Sequence, residues 1–212
     1  MDIAQVRREY TKTKLSKKSV HKDPVEQFNK WLKEAFDANC LEPTAMIIST
    51  VSKLNTPSSR VVLLKGVEDG CFIFYTNYHS RKGSQLSENP SISALFFWTE
   101  LERQIIIEGT VKKLSPAQSD AYFNTRPWKS RIGAIISPQS QPIESRNTIK
   151  KAFVLEAAKH INNSIPRPAH WGGYKIDPTR IEFWQGRENR LHDRVLFTKN
   201  TDSSWEITRL AP

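Results

Sequence analysis

Two cysteines in 212 residues exclude a disulfide framework. Cys40 and Cys71 form no CxxC pair, and we read them as reduced, partly buried thiols of a cytosolic protein. Long apolar runs are missing too. No stretch approaches the roughly 18 residues of a membrane span, and no apolar signal core opens the chain. The expectation is a cytoplasmic protein with no membrane partner. GxGxxG, Walker, GxSxG and HExxH patterns are all absent, which excludes Rossmann, P-loop, serine-hydrolase and zincin readings. The five histidines (His21, His79, His160, His170, His192) show no paired metal spacing, so no metal is expected.

Acidic residues are scarce: 22 Asp and Glu stand against 32 Lys and Arg, a net charge of +10. Seven of those cations (Arg7, Arg8, Lys12, Lys14, Lys17, Lys18, Lys22) fall in residues 1–22 against Asp2 and Glu9. Such an arm suits nucleic acid, an acidic surface, or a mobile flap over a phosphorylated ligand. No RNP, zinc-finger or helix-turn-helix pattern supports the first. We expect a basic, mobile arm over 1–22 and a single domain over 23–212.

Hydrophobic residues make up 38% and charged residues 25%, a globular balance. Asp23-Pro24-Val25-Glu26 reads as a capped helix start with a capping box, followed by helical spacing of Val25, Phe28, Trp31, Leu32, Ala35 and Phe36. Strand-like runs follow at Ala45–Val51, Arg60–Leu64, Cys71–Thr76, Ser91–Trp98 and Arg103–Val111, with one short helix near Ser80–Leu86. Ser115-Pro116-Ala117-Gln118 caps another helix, and Ser145–Asn162 suits a longer one. Gly172–Lys175, Arg180–Trp184, Arg194–Lys199 and Trp205–Arg209 read as late strands. Many short strands with few interposed helices predict a mainly β, α+β chain: a closed antiparallel barrel with helices outside.

Several runs carry chemistry. Arg190-Leu191-His192-Asp193-Arg194, read as a strand, puts Arg190, His192 and Arg194 on one face, which suits an anionic planar ligand. From these five residues alone a solvated edge strand of mixed charge is preferred. Arg60-Val61-Val62-Leu63-Leu64-Lys65 can line a flat cofactor or be a core strand with charged ends. Ser80-Arg81-Lys82-Gly83, after Tyr75-Thr76-Asn77, can hold phosphate at a helix start or be an ordinary exposed helix. Tyr122, Arg126 and Ser130 recur every four residues. That spacing puts Tyr122 and Arg126 on one helical face, though Pro127 interrupts the helix. Together they can clasp a phosphate, or form the polar face of an amphipathic helix. His170, before Trp171-Gly172-Gly173, reads as structural.

Trp184-Gln185-Gly186, Arg190-Leu191-His192-Asp193-Arg194 and Arg209-Leu210-Ala211-Pro212 together resemble the C-terminal signature of the pyridoxine/pyridoxamine 5′-phosphate oxidase family. The likeness extends from Arg7 to Pro212. It implies a split β-barrel homodimer that binds FMN between subunits and makes pyridoxal 5′-phosphate with dioxygen. The FMN contacts it implies are Arg60, Val61, Val62, Leu63, Leu64, Lys65, Tyr75, Thr76, Arg81, Lys82, Gln104, Gln139, Ser140, Trp184 and Arg194. The substrate phosphate falls to Lys65, Tyr122, Arg126 and Ser130. Arg190, Leu191 and His192 flank the pyridine ring, with Arg190 and His192 implied to be catalytic, and Arg7 and Tyr10 close over the substrate. Trp128-Lys129, Ile135-Ile136-Ser137-Pro138 and Arg187 depart from the family pattern. A non-catalytic flavin or pyridoxal phosphate carrier and a basic nucleic-acid binder are the rival readings.

Overall fold

The computed structural model describes residues 3–5, 9–161 and 163–212. The first helix, α1 (Pro24–Asp37), starts where its sequence favours it: Pro24 opens the first turn and the Asp23 carboxylate accepts the Val25 N–H at 2.7 Å. The capping box expected of Glu26 does not form, because Asp23 caps the second helical residue rather than the third. Phe28 meets Phe72 and Phe96 edge-on, with centroids 4.9 and 5.1 Å apart, and Trp31 meets Phe183 at 5.2 Å. These contacts seat α1 on the inner face of the sheet.

That sheet contains β1 (Ala45–Val51), β2 (Pro57–Leu63), β3 (Gly66–Glu68), β4 (Cys71–Asn77), β5 (Ser91–Trp98), β6 (Arg103–Lys113), β7 (Trp171–Gln185), β8 (Asp193–Lys199) and β9 (Trp205–Leu210). The strands run β2-β1-β5-β6-β7-β4-β3, with β8 on β7 and β9 on β8, all antiparallel. Helices α2 (Arg81–Glu88), α3 (Pro116–Thr125), α4 (Trp128–Ile136) and α5 (Arg146–Lys159) flank it. The fold is therefore of the expected class, a mainly β split barrel with flanking helices, although α1 packs on the inner face of the sheet rather than outside it.

The split is made by β7, and here one expectation fails. Gly172–Lys175 and Arg180–Trp184 are one continuous strand, not two. One edge of β7 pairs with β6 from Tyr174 to Gln185. The other edge pairs first with β4, through Trp171–Ile176, then with β8, through Arg180–Gln185. Pro178 falls between these partners, where its missing N–H costs no ladder bond. Across from it the β6 register shifts between Glu108 and Gly109. A Cβ on Gly109 would lie 2.1 Å from the Asp177 carbonyl oxygen, so only glycine allows this approach.

Ser115 and Gln118 form the expected capping box at α3. The helix ends at Thr125, however, and Arg126 is extended (φ −72°, ψ 145°). Tyr122, Arg126 and Ser130 therefore share no helical face; Pro127 separates α3 from α4, on which Ser130 lies. A second small core, including Phe123, Ile132, Ile165 and Trp171, lies beneath these helices.

Before α1, carboxylates strap the chain to the barrel. The Thr11 and Lys12 N–H groups donate to Glu102 at 2.9 and 3.1 Å, and Leu15 N–H donates to Asp193 at 3.1 Å. Among the described residues no helix is long and apolar enough to cross a membrane.

Candidate active site

A cavity of about 710 Å³ opens between β2, β4, α3 and α4. Lys65, Lys82 and Arg126 line it, and among the described residues no carboxylate does. Lys82 is buried, with its ammonium 3.1 Å from Thr76 Oγ1 and 3.2 Å from Gln139 Oε1. Burial, and then Arg60, pull its pKa down to about 8. Arg60 sits behind the cavity wall, donating to Thr50 Oγ1 and Ser58 Oγ at 2.6 Å. Its own pKa is lowered by burial and by Arg81. Arg60 on β2 thus repels both Lys82 and Arg81 at the start of α2, and the three cations form a cradle that an anion would relieve.

The opposite wall is aromatic. Tyr75 stacks on Tyr122 with centroids 3.8 Å apart and on Trp171 at 5.5 Å. Burial pushes the Tyr75 phenol up to about 12, so it stays protonated. Arg126 lies over the Trp171 ring at 4.5 Å, and its Nη1 is buried without a hydrogen-bond partner. Burial also lowers the Arg126 pKa. A buried guanidinium lacking an acceptor marks a place for an oxyanion.

A second cluster forms at the far end of β7. Cross-strand register sets Phe97, Gln104, Trp184, Arg194 and Leu210 in one row. Trp184 packs against His192 at 4.6 Å, and Tyr10 meets both rings edge-on at 5.7 and 5.9 Å. Gly186 makes this possible, since a Cβ there would sit 2.8 Å from that of Tyr10. The strand-face expectation is corrected here. Arg190 lies in a turn where Asn189 and Arg190 both take left-handed backbone (φ 55° and 60°), and β8 begins only at Asp193. Arg194 is on the strand, but Glu182 engages it bidentately at 2.7 and 3.0 Å.

The Arg187 N–H donates to His192 Nδ1 at 3.1 Å, which leaves the ring proton on Nε2. Burial, and then Arg190, lower the His192 pKa, so the neutral donor form prevails at neutral pH. Leu191 is exposed.

The residues singled out in the sequence thus divide between two places. Val61, Val62, Leu63, Lys65, Tyr75, Thr76, Lys82, Tyr122, Arg126, Ser130 and Gln139 line the cavity. Arg60, Leu64, Arg81 and Ser140 are not among its lining residues, and the Leu64 side chain is in the core. Tyr10, Gln104, Trp184, Arg190, Leu191, His192 and Arg194 belong to the region of the second cluster. Arg7 lies outside the described residues. Sequence reading missed Trp171, Asn77, Gly133 and Ser137 as lining residues. A tryptophan before two glycines on a strand was the available signal. Gly173 is needed there, because its Cβ would meet the Tyr75 ring at 2.8 Å. His170 is structural: its carbonyl accepts the Tyr78 N–H at 2.6 Å, and its ring bonds Ala134 O.

Fold and site define a class: a split antiparallel barrel with an acid-free cationic cavity and a separate arginine–histidine cluster. Residues 32–158 match the family described as pyridoxamine 5′-phosphate oxidase, and residues 171–212 match the pyridoxine 5′-phosphate oxidase C-terminal dimerisation region. The chain belongs to the pyridoxine/pyridoxamine 5′-phosphate oxidase family. It is 60% identical over 211 residues to the protein of that name from Bacteroides thetaiotaomicron, covering 100% of this chain and 99% of the relative. Identity to the Porphyromonas gingivalis protein of the same name is 51%, with the same coverage. Among solved structures, PhzG from Burkholderia lata in complex with tetrahydrophenazine-1-carboxylic acid superposes with a TM-score of 0.89 at 28% identity, covering 95% of this chain and all of that one. A pyridoxamine 5′-phosphate oxidase-related, FMN binding protein from Nostoc punctiforme shares the fold, with a TM-score of 0.70 at 15% identity over 94% of this chain and all of that one.

Proposed function

We propose that the protein oxidises pyridoxine 5′-phosphate and pyridoxamine 5′-phosphate to pyridoxal 5′-phosphate, using FMN and dioxygen. The observation that carries this reading is the pairing of two complementary half-sites in a chain of this family. One half-site is the acid-free cavity with Lys65, Lys82 and Arg126; the other holds His192 and Arg190. Trp171 and Trp184 mark the two ends, 13 residues apart on β7, roughly 40 Å of extended strand. A vitamin-sized ligand is far shorter than that strand, which supports a complete site built from the cavity of one chain and the arginine–histidine cluster of another. The outer face of the sheet supports the same homodimer. Ile47, Val61, Leu63 and Phe97 are 37–62% exposed there, and Val61 and Leu63 also line the cavity.

The residues present fit FMN. The cradle of Arg60, Arg81 and Lys82 answers its phosphate, the Val61–Leu63 strand offers backbone to its ring edge, and Gln104, Trp184 and Arg194 would come from the partner. When bound, FMN supplies the acceptor for a hydride from the substrate 4′ carbon and passes the electrons to dioxygen, giving hydrogen peroxide. Lys65, Tyr122, Arg126 and Ser130 hold the substrate phosphate. That anchor fixes the distance of the reacting carbon and reduces the entropy lost on reaching the reactive geometry. Arg190 and the His192 Nε2–H orient the pyridine ring, and Tyr10, with Arg7, covers it. When the substrate is the amine, water adds to the carbon–nitrogen double bond left by hydride loss and ammonia leaves as the aldehyde forms.

The test is an anaerobic flavin spectrum of the FMN-loaded protein on adding pyridoxine 5′-phosphate. Bleaching that air reverses, with pyridoxal 5′-phosphate formed, is the expected result. Flavin that binds but never bleaches would favour a carrier, and no flavin binding at all would sink the cofactor assignment.

A further inference from the structure

We infer that Trp171 is a positioning residue: its ring is the shelf that aims Arg126 at the substrate phosphate, and Arg167 fixes the shelf. The identity of the anion rests on the function proposed above; the shelf itself does not.

Arg126 is a long, half-buried side chain with no hydrogen bond or ion pair to any described residue. Its direction is therefore left to ring contacts. The guanidinium carbon lies 4.5 Å from the Trp171 centroid and 5.7 Å from that of Phe123. The indole is the nearer of these and the stronger partner for a cation. A carboxylate in its place would hold Arg126 as firmly but would neutralise it and compete with the ligand. An aromatic face orients the cation while leaving its N–H groups unpaired, as the buried Nη1 is.

The shelf is itself held. Trp171 lies almost parallel to Tyr75 (11°) and Tyr122 (5°). Its carbonyl accepts from Arg167 Nη1 at 2.6 Å, while Arg167 Nε donates to Asp120 on α3 at 2.6 Å. Arg167 thus ties the start of β7 to the helix that delivers Tyr122 and leads into Arg126. Shelf, stack and clamp make one unit, with consequences for specificity. A correctly aimed Arg126 rewards a phosphorylated ligand and does nothing for its unphosphorylated counterpart.

Two variants separate this from simple packing. Trp171→Leu keeps an apolar side chain but removes the π face; Trp171→Phe keeps a face. A cation–π contact at a half-buried arginine, between the exposed and the fully desolvated limits, corresponds to a factor of roughly 10 in favour of the aimed rotamer. Trp171→Leu should therefore raise KM for pyridoxine 5′-phosphate about tenfold with kcat nearly unchanged, and Trp171→Phe should stay close to wild type. Any loss with unphosphorylated pyridoxine should be smaller than with the phosphate ester, so the preference for phosphate falls. Calorimetric titration with inorganic phosphate gives a readout free of turnover, and its Kd should rise in parallel. Should Trp171→Leu fail to fold, Arg167→Gln tests the clamp and should show the same KM shift in smaller measure. Unchanged KM and phosphate affinity in these variants would overturn the inference. So would equal losses with phosphorylated and free substrate. A wild-type protein that binds phosphate but turns over neither vitamer would sink the proposed function and leave the shelf to be judged on phosphate affinity alone.

Discussion

Lys82 illustrates how one buried side chain links stability to ligand binding with opposite signs. Its pKa falls from 10.5 to about 8 on folding. Between those values the unfolded chain binds more protons, so the ligand-free protein gains stability as pH rises from 8 to 10.5, and the burial penalty is fully present below 8. Phosphate prefers the charged ammonium, so FMN affinity should weaken as pH climbs past about 8, by up to roughly tenfold per unit. Melting curves and flavin titrations over the same pH series check both trends, and Lys82→Met should flatten both. Flat profiles in the wild type would mean that the buried ammonium is not the titrating group. His192 offers a second residue-scale test. Burial, and then Arg190, hold its pKa below the ordinary imidazole value, so Arg190→Ala should raise the midpoint followed by NMR of the ring protons. An unmoved midpoint would mean that Arg190 does not face the ring. That geometry was hidden from the sequence. A period-2 reading of Arg190–Arg194 assumed extended backbone, whereas Asn189 and Arg190 occupy left-handed conformations; asparagine is enriched there, but nothing in the sequence marked Arg190 as following it.

At the scale of elements, most strands were legible because β-branched and aromatic runs alternate with turn formers. Ala45–Val51 and Ser91–Trp98 were read to the residue. The join in β7 was not. Asp177-Pro178-Thr179 has the composition of a turn, and only the change of partner from β4 to β8 explains how a proline can lie within a strand. Gly109 is the other half of that device. Gly109→Ala would press a methyl into the Asp177 carbonyl, and a loss of about 2–3 kcal/mol is expected, seen as a clear drop in Tm. Gly133→Ala is the contrast. Its Cβ would meet nothing within 4 Å, and on α4 alanine should stabilise by about 0.5–1 kcal/mol. If both substitutions shift Tm alike, the close approach at Gly109 is not the constraint described.

For the whole molecule, the decisive geometry is the length of β7, which keeps the chain's two half-sites apart. Register, not composition, aligned Gln104, Trp184 and Arg194 into one row, so the division could not be seen before the strands were paired. If each complete site takes Arg126 from one chain and Arg190 from its partner, two inactive variants can repair one another. Arg126→Ala and Arg190→Ala homodimers should each be severely impaired. A mixed dimer carries one site with both defects and one with neither. Co-expression with two different tags and tandem purification isolates that dimer, and its kcat per dimer should be about half that of wild type, with KM unchanged. Sites contained within one chain would give no rescue at all, because each chain would carry its own defect. The experiment thus separates a shared site from a dimer that merely places two independent sites side by side.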